Sequence, residues 1–287
     1  MGDLTFMQIL DFLAAPFVAS LILTGIHSYL GVHVVERGVI FVDLSLAQIA
    51  ALGATIAILL PFSGGDPHAP SVYWVSLLFT FIGAAIFSMI RGKRARIPQE
   101  AIIGISYAVA SAAAILAMSK STSESEHLKD MLVGNIIAVS WHEVGKTAAL
   151  YGAIGLFHYI FRKQFLTISM NHNGDEVNGL NVRWWDFLFY ASFGFVVTSS
   201  VAIAGVLLVF CYLIVPSVAA MLYADTIGKR LAIGWIMGTV VSALGVYLSL
   251  VLDLPTGATI VCTFGLVLIL MSIVRALIPR KVAVVAV

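Results

Sequence analysis
Apolar positions in this sequence come in long unbroken runs, and polar positions crowd into the short stretches between them. Runs of about twenty residues match the length a helix needs to cross the roughly 30 Å hydrocarbon core of a bilayer. The pattern predicts nine such helices, over 12–30, 39–60, 72–90, 101–118, 144–161, 185–202, 205–223, 231–251 and 256–278. The sixth and seventh are nearly fused, with a tight Ala-Ile-Ala-Gly turn ending at Gly205 between them. Two connections are longer than turns. The first, 119–143, opens polar and ends in Met131-Leu-Val-Gly-Asn-Ile-Ile-Ala-Val-Ser-Trp141, too short to span and so expected as a re-entrant or interfacial helix. The second, 162–184, carries Asn171-His-Asn-Gly-Asp-Glu-Val-Asn-Gly-Leu-Asn181. There Asp175 and Glu176 suit the positive N-terminal end of a short helix that closes near Gly179.

Composition names the solvent. Of the 287 residues, 60% are hydrophobic and 11% charged, with a mean hydropathy of +1.01. A soluble domain carries about 25% charged residues, and a chain this short has too much surface to cover with fewer. In hydrocarbon every backbone amide is satisfied internally, which leaves a helix bundle or a closed barrel. A barrel would alternate apolar and polar residues over segments of about ten. The continuous runs exclude it. The expected architecture is an all-α polytopic membrane helix bundle of about nine transmembrane helices, one domain over 1–287, with membrane lipid as its surroundings.

Charge orients the bundle. Arg37; Arg91, Lys93, Arg94 and Arg96; Arg162, Lys163 and Arg183; Lys229 and Arg230; and Arg275, Arg280 and Lys281 fall in one set of loops. Only Lys120, Lys129 and Lys146 fall in the other. Basic loops stay in the cytoplasm, so the N-terminus is expected outside and the C-terminus inside. No basic block points to nucleic acid. The N-terminal stretch has Asp3 and Asp11 and no basic residues before its apolar run, unlike a signal peptide. Cys211 and Cys262 sit in apolar runs, which predicts buried free thiols.

Candidate chemistry is sparse. The sequence has no phosphate-binding Gly-x-x-x-x-Gly-Lys-Ser/Thr, no His-Glu-x-x-His and no Cys-x-x-Cys, and no span offers a nucleophile with a base. Asp43 is read as the acid well inside an apolar span, where a charge costs roughly 2.5–3.5 kcal/mol on insertion scales. Two readings stand side by side: pairing with Arg37 or backbone at the cytoplasmic end, or a place on a substrate path. Ser45 and Gln48 lie three apart on one stripe, whereas Asp43 and Gln48 differ by about 140° around the helix. His127, among Glu124, Glu126 and Asp130, and His142 beside Glu143 are loop residues whose chemistry would suit a metal, although solvated loop acids are common. His27, His33 and His158 read as helix-end residues near an interface. Pro216 predicts a kink, and Asp253-Leu-Pro-Thr-Gly-Ala258 an outer turn.

Three passages resemble the permease subunits of ATP-binding cassette importers for zinc, manganese or ferrous iron. They are the second span ending Ala50-Ala-Leu-Gly53, the stretch Leu132-Val-Gly-Asn-Ile-Ile-Ala-Val-Ser-Trp141, and the run from Gly205 through Ile214-Val-Pro-Ser-Val-Ala-Ala220 to Leu252-Asp-Leu-Pro-Thr-Gly-Ala-Thr-Ile260. The resemblance implies a homodimer in the bacterial inner (plasma) membrane with its pathway at the dimer axis. It also implies two cytoplasmic ATP-binding subunits and an extracytoplasmic metal-binding protein. ATP hydrolysis would lie in the partner chain, with no permanently bound cofactor and a divalent metal ion as cargo. The family's coupling helix falls on the loop of Asp175, Glu176 and Gly179. Its second span carries an Asp and, four residues on, a His along the metal path. Aligned on Gly53, these places hold Leu44 and Gln48, so Asp43, Gln48 and Ser45 are the candidate path residues here. An ion-gradient-driven secondary transporter is the alternative, expected to show matching broken helices and several buried ionisable groups.

Overall fold
The computed structural model describes residues 6–63, 66, 69–90, 97–119, 134, 136–171 and 179–278. Nine helices account for nearly all of them: α1 (Phe6–Arg37), α2 (Val42–Leu59), α3 (Pro70–Ile90), α4 (Gln99–Met118), α5 (Trp141–Ile160), α6 (Arg162–Met170), α7 (Val182–Tyr223), α8 (Ile227–Leu252) and α9 (Thr256–Leu277). Among the described residues there is no strand.

Seven of these helices are long and apolar enough to cross a membrane: all but α5 and α6. The longest, α7, crosses twice. Its 42 residues would reach about 60 Å as one rod, twice the hydrocarbon thickness. Its backbone breaks at Gly205, with φ 74 and ψ 161. Both of its ends return to the last turn of α1. Asp186, near the start, pairs with Arg37, while Ala224, just past the end, accepts from Arg230, which itself pairs with Glu36. The element is therefore a hairpin of two arms, 182–204 and 206–223, as the Ala-Ile-Ala-Gly turn predicts. Its tip rests on a second backbone: a Cβ on Gly134 would run into the Ala204 carbonyl and the Gly205 amide.

With α7 counted twice, the α5 helix is the one that would bring the crossings to the expected nine. It is 20 residues long, and its polar residues keep its hydropathy below that of the others. Ser140 starts it with a capping box, its hydroxyl accepting from the Glu143 amide while its own amide donates to the Glu143 carboxylate. The helix then runs antiparallel to the first arm, with Tyr151 bonded to Ser199 and His158 to Ser192. The chain thus alternates in direction from α1 to α9. Arg37, Arg162, Lys163, Arg183, Lys229, Arg230 and Arg275 fall at one end and Lys146 at the other. The positive-inside rule makes the first of these the cytoplasmic end. The basic residues at 91–96 and 280–281 lie outside the described residues.

Close backbone approach holds the bundle together. Gly31 of α1 is pressed against the second arm, where a Cβ would collide with the Leu213 carbonyl and the Ser217 hydroxyl. The Ala50–Gly53 passage does the same against α3. A Cβ on Gly53 would lie 2.9 Å from the Ser76 Cα, and Ser76 donates to the Ala50 carbonyl at 2.7 Å. Small residues let helices in lipid gain contact and hydrogen bonds where no hydrophobic drive separates protein from solvent. Facing outward, Trp74, Leu78, Ile82 and Ile86 make an exposed stripe every fourth residue on α3, and Leu266, Leu270, Ile273 and Leu277 a similar one on α9. These are surfaces for lipid.

Several expectations change. The first helix extends to Arg37, seven residues beyond its predicted end. The apolar piece before Trp141 shows only a single 3-10 turn, Ile136–Ala138, in its described part. A short helix, α6, follows α5 directly, whereas Asp175 and Glu176, where one was expected to open, lie outside the described residues. Cys211 is half-buried and Cys262 exposed on the bundle surface, both free thiols. Apolar sequence surroundings indicate lipid as readily as protein.

Candidate functional site
The three path candidates all lie on α2, and all are buried: Asp43 is 1% exposed, Ser45 is fully covered and Gln48 is 8% exposed. Packing against α3, α4 and α7 covers most of the α2 circumference. Burial therefore does not bring the three together. Ser45 and Gln48 share one side of the helix and Asp43 lies on another, and no hydrogen bond joins the three among the described residues. Leu44, which shares a face with Gln48, is only half-buried.

Asp43 is the second residue of α2, where the helix dipole favours an acid. That much fits the structural reading of its charge. The ion pair expected with Arg37 does not form, because Arg37 pairs with Asp186. One Asp43 carboxyl oxygen, Oδ1, is buried with no hydrogen-bond partner, and so is the Ser45 hydroxyl. A buried polar group left unmatched costs about 1–3 kcal/mol, more when charged. The two atoms lie two residues apart and so on different sides of α2. Cys211, on the second arm of α7, lies within electrostatic reach of Asp43.

A second polar cluster lies between α1, α5, α6 and α7. His27, His33 and His158 are buried in protein, 0%, 1% and 1% exposed, which corrects their reading as interfacial residues. His27 Nδ1 donates to the Leu23 carbonyl at 2.8 Å. His33 Nδ1 and the Ser169 hydroxyl share a 2.8 Å bond, and His158 Nε2 meets the Ser192 hydroxyl at 2.8 Å. Because Ser192 gives its own proton to the Phe189 carbonyl, His158 Nε2 is the donor of that pair. His33 Nε2, His158 Nδ1 and the Tyr29 hydroxyl are left without partners. Two imidazoles on one tetrahedral metal ion, with bonds near 2.1 Å, would bring their ring centres to about 5.3 Å. Here they are 6.5 Å apart. Among the described residues no three His, Cys, Asp or Glu side chains converge as a metal site. His127 lies outside the described residues, and His142 is exposed at the start of α5.

The cluster ends at Arg37. Its guanidinium donates through Nε to the Ser169 hydroxyl at 2.8 Å, pairs through Nη1 with Asp186, and lies 4.0 Å over the Phe189 ring. Both members of the ion pair are essentially inaccessible. Asp186 escaped the sequence reading. The signal that would have found it is an acid flanked by Trp184-Trp185 and Phe187-Leu188-Phe189, aromatic on both sides at the mouth of a span.

A helix bundle with a glycine-hinged hairpin, a polar seam in its core and a basic cytoplasmic end defines a multi-pass membrane protein. Residues 9–275 match the ABC 3 transport family, and the chain belongs to it. This sets aside the secondary transporter. A curated relative from Listeria innocua, "Manganese transport system membrane protein MntC", is 25% identical over 257 residues, covering 87% of this chain and 86% of its own. One from Haemophilus influenzae, "Probable iron transport system membrane protein", is 23% identical, covering 88% and 86%. Among solved structures, a chain of "PsaBC from Streptococcus pneumoniae in complex with Fab" superposes with a TM-score of 0.75. It is 22% identical and covers 93% of this chain and 95% of that one, so it supports the fold. The protein is a multi-pass plasma-membrane protein.

Proposed function
We propose that this chain is the membrane-spanning permease subunit of an ATP-driven importer for a divalent transition metal ion. The observation that carries the reading is the buried, unpartnered carboxyl oxygen of Asp43 on the second helix of an ABC-family transport protein. A cation moving inward would supply the interaction that this carboxylate lacks. The candidates on α2 offer only oxygen ligands, a carboxylate from Asp43, a hydroxyl from Ser45 and an amide from Gln48. Oxygen donors suit Mn²⁺ better than softer-ligand ions. Relatives named for manganese transport support the same choice.

The permease works as a homodimer with two cytoplasmic ATP-binding subunits and an extracytoplasmic metal-binding protein. ATP hydrolysis belongs to the partner, since the chain lacks a phosphate-binding loop. The test is purification of the tagged chain from its own cells followed by uptake into proteoliposomes. An ATPase should co-purify, and ATP should drive manganous ion inward. Elemental analysis of overexpressing cells should show manganese rising above zinc. Uptake that continues without nucleotide would overturn the importer, and a selective rise in zinc would overturn the choice of ion.

The ATPase docks on the cytoplasmic connection between α6 and α7, around Asp175, Glu176 and Gly179. Gly179 has φ +73, which disfavours any side chain, and a Cβ there would meet nothing within 4 Å. Gly179→Trp should leave membrane insertion intact while uptake per ATP hydrolysed falls about tenfold, the equivalent of roughly 1.4 kcal/mol of lost coupling. Unchanged uptake and hydrolysis in that variant would remove Gly179 from the docking surface.

A further inference from the structure
One side chain grips both flanks of the connection assigned to the ATPase. Ser169 is the last residue but one of α6, just before that connection, and Asp186 lies in the first turns of α7, just after it. Arg37 bonds both, through Nε to Ser169 and through Nη1 to Asp186. The two flanks are thus tied to a single guanidinium on the last turn of α1.

The surroundings keep that guanidinium in one place. Phe189 packs under its face at 4.0 Å, and Tyr190 stands 5.8 Å away. His33, one turn earlier on α1, holds the same Ser169 hydroxyl. The neighbouring Glu36 pairs in another direction with Arg230 on α8, and Arg230 also binds the Ala224 carbonyl at the end of the hairpin. The end of α1 therefore joins the docking flanks on one side to α8 and the hairpin on the other. Beyond it Gly38, with φ +66, turns the chain toward α2, whose second residue is Asp43.

We propose that Arg37 is the positioning residue that converts movement of the ATPase-facing connection into movement of the α1–α2 corner, and so couples nucleotide turnover to the metal path. The inference rests on the importer reading given above. Arg37 touches no cargo. A planar fork can serve a hydroxyl and a carboxylate at once, which a lysine ammonium on a flexible stem does not reproduce. Lysine at this position keeps the charge and loses the double grip.

The test uses the whole complex of permease and ATPase in proteoliposomes, measuring manganous ion moved and ATP hydrolysed in the same samples. Ser169→Ala leaves the ion pair whole and removes the link from α1 to the first flank, the bonds of both Arg37 and His33 to that hydroxyl. Arg37→Lys keeps the charge. In both, metal moved per ATP should fall about tenfold, the scale of one lost hydrogen bond to a charged group, while hydrolysis and assembly persist. The charge exchange Arg37→Asp with Asp186→Arg restores the pair but not the Ser169 link, so it should remain uncoupled. An unchanged ratio of metal to ATP in Ser169→Ala and Arg37→Lys overturns the proposal alone. A parallel fall of uptake and hydrolysis at constant ratio overturns it too, because it marks a merely structural role. A wild-type complex whose uptake ignores ATP overturns the importer reading and this inference with it.

Discussion
Gly205→Val is expected to leave the chain without a folded hairpin, and so without the two crossings that α7 supplies. The backbone there sits at φ 74 and ψ 161, a region open in practice to glycine alone. A side chain in that region costs about 1–3 kcal/mol from strain. The tip is also closely packed, since one methyl on Gly134 would run into the Gly205 amide. The Ala204 and Gly205 atoms at that contact are backbone and cannot swing aside, so a strained tip must open the turn. In detergent the variant should melt well below the wild type, or leave the monodisperse peak on size exclusion. Gly134→Ala should reproduce part of the loss from the other side of the contact. A Gly205→Val protein that melts like the wild type would mean that the two arms do not depend on this turn.

What the sequence discloses, and what it hides, divides by the range of the interaction. The crossings are legible because each is a local run of apolar residues, and the hairpin tip because glycine marks it within the same run. The outer turn after α8 is legible for the same reason. Asp253 takes a left-handed conformation there, Pro255 precedes the first residue of α9, and the Ser249 hydroxyl closes the turn on the Leu254 carbonyl. The end of α1 is not legible. Residues from Gly31 to Arg37 include a histidine and two charges, which read locally as a helix running out into water. Their partners, Ser169, Asp186 and Arg230, lie more than 130 residues away. Only those partners make it possible to bury them. The same distance hides His158, whose stacking on Phe165 at 4.2 Å depends on α6 folding back beneath α5. For the path, residue type singles out Asp43 on α2, but which neighbours it lacks is visible only when the bundle is assembled.

Asp43→Ala should abolish metal uptake while the protein inserts and assembles normally. The two roles open to this carboxylate differ in size and in signature. As an acid in the first turn of α2 it stabilises the helix by about 0.3–1 kcal/mol, and its loss would lower the melting temperature slightly and leave transport alone. As a ligand for a cation crossing a dry interior it contributes a charge-assisted interaction of about 1.5–3 kcal/mol, or roughly tenfold to a hundredfold in occupancy of the path. Asp43→Asn separates them, because the amide keeps the shape and loses the charge. It should transport as poorly as alanine, whereas Asp43→Glu, which keeps the charge on a longer arm, should recover part of the activity. Ser45→Ala is the internal comparison: its hydroxyl is equally buried and equally unpartnered, but it lies on another side of α2. A path that runs along the Asp43 side predicts near-normal uptake for Ser45→Ala. Manganous uptake at wild-type rates in Asp43→Asn would confine Asp43 to the helix end. A deeper loss in Ser45→Ala than in Asp43→Asn would move the path to the face that Ser45 shares with Gln48.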